Sequence, residues 1–221
     1  MVVRRALNED PGLGDEELWA ALRVITDYRA MHEYPLRKVT MGVRSMLKTA
    51  LPGETIRPGQ RFKRLDRILG KLGRFPRMRL SQMEDIGGCR AVISERAGVY
   101  AVLGRIRRNW PDAKVTDYIA EPKPDGYRGV HIIERRDSRL IEVQLRTVRQ
   151  HVWAEAVERL YLGLGHNLKD GYGPVDLREY FRLAAGRLAA QEVGRPLDRA
   201  EEARFDTLRE RVRHYFTDAS P

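Results

Sequence analysis

The chain has 221 residues, 42% of them hydrophobic, and carries Lys+Arg 41 against Asp+Glu 31 for a net charge of +10. That length suits one large domain or a domain with helical additions, and the apolar content excludes global disorder. The single cysteine, Cys89, excludes an internal disulfide and cannot form a zinc site alone.

In chain order, residues 15–31 have helical periodicity. Leu18, Leu22 and Ile25 fall on one face, and the first turn is acidic. A second helix is expected over 36–50 after Pro35. A loop rich in Pro and Gly (51–59), a short extended piece and a third helix over 65–72 follow. Residues 88–93 read as a buried strand around Cys89, 99–110 as an amphipathic helix ended by Pro111, and 114–119 as a weak strand. A turn at Pro124-Asp125-Gly126 leads into Tyr127, Gly129 and His131 at a period of two. Residues 141–147 alternate strictly, with apolar Ile141, Val143 and Leu145 between Glu142, Gln144 and Arg146. That pattern predicts a half-buried strand with its three polar groups on one face. Joined through 135–139, the two segments form a hairpin. Helices are expected over 148–164, with Trp153 in the core, and over 176–192 and 199–216. A Gly-rich loop spans 163–174. A mixed sheet with helices before and after it is an α+β or α/β layout. The N-terminus does not read as a signal peptide. No run reaches the roughly 18 to 20 apolar residues of a membrane span, so a cytoplasmic protein is expected.

Three constellations carry chemistry. The first is basic. Residues 34–79 hold thirteen Lys/Arg against two acids, Glu54 and Asp66, so this segment alone accounts for the whole charge surplus. Within it Arg61 and Lys63 alternate on the extended piece. Arg67, Lys71 and Arg74 recur at i, i+4 and i+7, on one helix face. Stacked like charges favour a polyphosphate or a nucleic-acid backbone. The second is Glu84-Asp85-Ile86-Gly87-Gly88-Cys89-Arg90, an acidic pair before glycines that permit close approach at a strand entrance. Asp85 and Glu142 are a candidate Mg²⁺ pair, since that ion takes hard oxygen ligands and borrows phosphate oxygens from its substrate. The third is the hairpin. Tyr127, expected near the surface, is placed to stack on a base, and His131 to donate to phosphate. His166 and His214 receive no role.

Arg61-x-Lys63, Lys71, Arg74, Asp85-Ile-Gly-Gly-Cys-Arg90, Pro122-Lys123-Pro-Asp-Gly-Tyr127-Arg-Gly-Val-His131 and Glu142-Val-Gln-Leu-Arg-Thr147 follow one another in order. Together they resemble the synthetase domain of RelA/SpoT alarmone synthetases in its short, single-domain form, over roughly 36–164. The resemblance implies a nucleotidyltransferase-like mixed sheet flanked by helices. It divides the chain into a helical segment (1–35), a synthetase core (36–174) and C-terminal helices (175–221). It implies transfer of pyrophosphate from ATP to a ribose 3′-hydroxyl, most often of GDP or GTP. Arg61 and Arg90 would then sandwich the adenine, while Lys63, Arg67, Lys71 and Arg74 hold the phosphates. Asp85 would bind Mg²⁺, and Glu142 would share the metal and take the hydroxyl proton. Tyr127 would stack on the acceptor base. Lys123, Arg128, His131, Gln144, Arg146 and His151 complete the expected acceptor side. Arg67 stands where many relatives carry serine, and Asp125 where asparagine is common. No hydrolase domain is read, so product would be made and not degraded.

Two acceptors compete. One is a guanine nucleotide, giving an alarmone. The other is the 3′ end of tRNA, as in a toxin branch neutralised by an antitoxin, some of whose members make adenosine alarmones instead. A noncatalytic RNA-binding protein is opposed by the intact pair Asp85 and Glu142. The C-terminal helices carry Leu183, Leu188, Phe205, Leu208 and Val212 as an apolar face for oligomerisation, for an antitoxin, or for the enzyme's own sheet.

Overall fold

A computed structural model describes residues 14–164 and 173–217. Helices α1 (Asp15–Ala30) and α2 (Glu33–Ala50) lead into strand β1 (Gly59–Phe62) and helix α3 (Leu65–Arg74). A 3₁₀ turn (Leu80–Gln82) precedes β2 (Gly87–Ile93), α4 (Arg96–Asn109) and β3 (Lys114–Asp117). Then come β4 (Val130–Arg136), β5 (Arg139–Thr147), α5 (Val148–Leu164), α6 (Val175–Glu192), α7 (Arg199–Val212) and a short α8 (His214–Thr217). The strands form one five-stranded sheet in the order β1-β2-β5-β4-β3. This is the expected mixed sheet with flanking helices. No helix among the described residues is long and apolar enough to cross a membrane.

The chain divides into two compact units. Of the described residues, one contains those up to 91, with 101–115 and 131–144, and the other contains the remainder. In the first, Ile25, Ile68, Leu72, Met83 and Ile86 form a buried cluster. Each such side chain contributes about 1.5–3 kcal/mol through burial. In the second, Trp153, Val157, Leu160, Leu177, Phe181 and Val212 pack together. Leu208 and Val212 are fully buried and Tyr180 stacks on Phe205 at 5.0 Å. The apolar face expected for partners on the C-terminal helices is therefore buried largely within its own unit.

Several boundaries differ from expectation for local reasons. Pro35 lies inside the first turn of α2, where its missing N–H costs nothing, so the helix begins earlier at Glu33. The hairpin turn is tighter than 135–139. Asp137 and Ser138, with φ of 48° and 62°, form a two-residue connection whose positive φ values match the twist of the flanking strands. Tyr127 and Gly129 precede β4 and do not belong to it. β5 is not half-buried, because burial covers both faces from Val143 to Thr147. Most of the Gly-rich loop, and His166, lie outside the described residues.

Candidate active site

β1 and β2 pair antiparallel with Arg61 opposite Gly88 and Gly59 opposite Arg90. Residues directly opposite share a face, so Arg61 and Arg90 are diagonal neighbours on one side of the sheet. Gly88 is glycine for a reason visible in the packing. A Cβ there would lie 3.0 Å from the carbonyl oxygen of Glu142. The close approach of β5 brings Gln144 to Arg90, whose Nε donates to Gln144 Oε1 at 3.2 Å. Gln144 Nε2 in turn donates to Glu142 Oε2 at 2.7 Å. The other carboxylate oxygen, Oε1, lies 2.9 Å from His131 Nδ1. Arg90, Gln144, Glu142 and His131 therefore form one chain of polar contacts.

Asp85 sits at the entrance to β2, clamped by two lysines. Lys63 Nζ lies 2.6 Å from Oδ2 and Lys71 Nζ 3.0 Å from Oδ1. Burial alone would raise the Asp85 carboxyl, but the ammonium groups of Lys63 and then Lys71 outweigh it and hold it below its ordinary value. Glu142 is governed the same way. Burial pushes it up, and its bond to His131, then the His131 charge and the Gln144 amide, bring it below the usual range. The Asp85 charge opposes the ionisation of Glu142, so the two carboxylates feel one another. A divalent cation relieves such repulsion, and the donor set of two ionised carboxylates fits Mg²⁺. Among the described residues no group of three or more His, Cys, Asp or Glu side chains gathers to hold a metal. The remaining ligands would therefore be substrate oxygens and water.

The rest of the expected phosphate-binding set follows the helical reading. Arg67, Lys71 and Arg74 ride on α3, whose buried face is Ile68 and Leu72. Arg67 Nε is 3.8 Å from Asp66 Oδ2. Arg61 and Arg74 are exposed.

In the second unit, the expected acceptor residues have other surroundings. Tyr127 is 7% exposed, contrary to the expected surface position. Its hydroxyl accepts from buried Arg146, at 3.2 Å from Nε and 2.9 Å from Nη2. Its ring packs against Tyr118 at 5.8 Å and Trp153 at 6.4 Å. Lys123 Nζ lies over both tyrosine rings, 4.6 Å from Tyr118 and 5.2 Å from Tyr127. Arg128 Nη1 reaches the carbonyl of Ile119 at 3.5 Å, and burial lowers its guanidinium from the ordinary value. His151 Nε2 is 3.4 Å from Glu155 Oε1, one turn along α5. Cys89 is buried, and burial pushes its thiol up to about 11, which removes it as a nucleophile.

Residues 60–162 match the family model of the region found in RelA / SpoT proteins. The chain carries a RelA/SpoT region. Every motif residue discussed above, from Arg61 to His151, lies within that RelA/SpoT match. Among relatives, the chain is 32% identical over 82 residues to the probable GTP diphosphokinase RSH3, chloroplastic, of Arabidopsis thaliana, covering 36% of this chain and 12% of that protein. It is 30% identical over 96 residues to GTP pyrophosphokinase YwaC of Bacillus subtilis, covering 39% of this chain and 46% of that one. The chain thus spans less than half the length of these relatives. Its fold resembles the crystal structure of small alarmone synthetase 1 from Bacillus subtilis bound to its product pppGpp. That likeness has a TM-score of 0.62 and 23% identity, and covers 80% of this chain and 94% of that one.

Proposed function

We propose that this chain is an ATP-dependent pyrophosphokinase that makes guanosine tetra- or pentaphosphate from GDP or GTP. The observation that carries the reading is the pair of ionised carboxylates. Asp85 is held by Lys63 and Lys71, and Glu142 by His131 and Gln144. The acceptor 3′-hydroxyl attacks the β-phosphorus of ATP, the bond from β-phosphorus to the α,β-bridging oxygen breaks, and AMP leaves with that oxygen. Glu142 accepts the hydroxyl proton, a task that requires it ionised. Mg²⁺, when bound, neutralises charge on the phosphate oxygens. Lys63, Arg67, Lys71 and Arg74 position the phosphates, and Arg61 and Arg90 flank the adenine. Positioning and cationic stabilisation supply most of the rate in phosphoryl transfer. We place the activity in the cytoplasm.

A second reading is kept because residues 34–79 carry more cations than one ATP engages. On that reading the acceptor is the 3′ end of tRNA, and the protein is a translation-blocking toxin with an antitoxin partner. The experiment is transfer from β-labelled ATP with Mg²⁺ to GDP, GTP, AMP, ADP or deacylated tRNA in separate reactions. Label in guanine nucleotides is expected. Label on tRNA alone replaces the first reading by the second, and no transfer to any acceptor overturns both.

A further inference from the structure

Glu142 and Gln144 stand two residues apart on β5 and share a face of the strand. β5 lies between β2, which carries Arg90, and β4, which carries His131. The four side chains therefore form a row across three neighbouring strands. Both oxygens of the Glu142 carboxylate are held within that row. Oε1 lies 2.9 Å from His131 Nδ1, and Oε2 accepts from Gln144 Nε2 at 2.7 Å.

The row permits one orientation of the Gln144 amide. A guanidinium only donates and a carboxylate only accepts. The amide oxygen must then face Arg90, whose Nε donates to it at 3.2 Å, and the amide nitrogen must face Glu142. Turned over, the amide would set N–H against N–H at one end and oxygen against oxygen at the other. Arg90 thus selects the orientation of the amide, and the amide fixes the carboxylate. A guanidinium set directly on Glu142 would compete for the lone pair that must take a proton, whereas a neutral amide passes on orientation without that charge. Gln144 is 6% exposed, so it offers little surface to an acceptor molecule.

We propose that Gln144 is a positioning residue of the transfer reaction, which aims the Glu142 carboxylate and takes its own orientation from Arg90. This departs from the acceptor contact expected of Gln144 in the sequence. It rests on the pyrophosphokinase reading for the task of Glu142 and for the adenine beside Arg90. On that reading, the side chain that meets ATP and the side chain that takes the proton are aligned through one amide. Displacing a reacting group by about 1 Å can slow a reaction about 10²-fold, so the alignment matters to rate more than to binding.

The labelled-transfer assay with Mg²⁺ tests it through Q144M, which keeps the length of the side chain and removes both amide hydrogen bonds. kcat is expected to fall about 10–100-fold, with KM for ATP and for the acceptor within about two-fold of the parent. A residue that acts through Glu142 has little left to do once Glu142 is gone. Q144M added to E142Q should therefore lower the residual rate by no more than about two-fold, and added to R90M it should lower kcat less than in the parent. Q144E is the second variant. It keeps an acceptor for Arg90 but sets a carboxylate against Glu142, and its kcat should fall at least as far as that of Q144M. Melting curves give the folded fraction of each, so either variant decides the matter where the other does not fold. A parental kcat in Q144M or Q144E overturns the proposal and leaves the pyrophosphokinase reading standing. So does a loss carried by the acceptor KM, which would make Gln144 an acceptor ligand, and so does a full loss in the E142Q or R90M background. If the parent transfers nothing to any acceptor, the pyrophosphokinase reading falls and the positioning role falls with it.

Discussion

Two lysines on Asp85 set its chemistry more than its own burial does, and that balance is measurable. Asp85 and Glu142 have folded values below the ordinary carboxylate value of about 4. The stability they contribute is therefore present above about pH 4 and is lost as the pH falls through the folded values. In K63A/K71A the Asp85 carboxylate stays buried without its counter-charges. Its stability deficit against the parent should be largest near neutral pH and shrink as acid protonates Asp85. Denaturant melts at several pH values check this, and a deficit independent of pH refutes the clamp. E142Q keeps the size of the side chain and removes the proton acceptor. Transfer should fall by about 10²–10⁴-fold with an unchanged melting curve. Tyr127 gives a third case. Y127F keeps the ring but takes the acceptor from buried Arg146, at a cost of about 1–3 kcal/mol in chemical denaturation. A tyrosine that serves only to stack would tolerate the change.

At the scale of elements, the sequence was legible where periodicity is local. The alternation over 141–147 and the helical spacing of Trp153, Val157 and Leu160 correspond to β5 and α5. The lysine clamp was not legible, because Lys63 and Lys71 stand 22 and 14 residues from Asp85. Only the folding of β1 and α3 beside the entrance to β2 brings them together. Burial of Tyr127 was equally hidden. Asp-Gly before an aromatic residue signals a turn near the surface. What covers the ring includes Trp153, 26 positions later and itself backed by Phe181 of α6. The polar face of β5 was misread for the same reason, since alternation reports which residues are apolar but not whether a second layer covers the polar side. Gly126 links this lesson to a measurement. G126A forces an alanine to φ +93° and drives its methyl into Ala185. It should cost about 1–3 kcal/mol, a melting temperature several degrees lower. An unchanged melting temperature would show that α6 does not rest on this loop.

For the whole molecule, the question is what the +10 charge is for. Only part of the basic segment is engaged within the protein. Lys63 and Lys71 are turned to Asp85, and Lys38 pairs with Asp137 at 3.0 Å. Outside the residues proposed to bind ATP, Arg37, Arg44, Arg57, Arg64, Arg77 and Arg79 are exposed, as is Lys48. A nucleotide offers a few phosphates to such a surface, whereas a folded RNA engages many and releases a counterion for each. The two acceptor readings therefore separate on salt. Between about 50 and 200 mM salt, a guanine acceptor should lose only a small part of its kcat/KM, while a tRNA acceptor contacting 6–10 phosphates should lose roughly 10³–10⁵ in affinity. Measuring ATP's own KM over the same range supplies the control, because its binding residues are common to both readings. A shallow response for the acceptor with an equally shallow response for ATP assigns the exposed arginines to solvent. A steep acceptor response against a shallow ATP response assigns them to a nucleic acid.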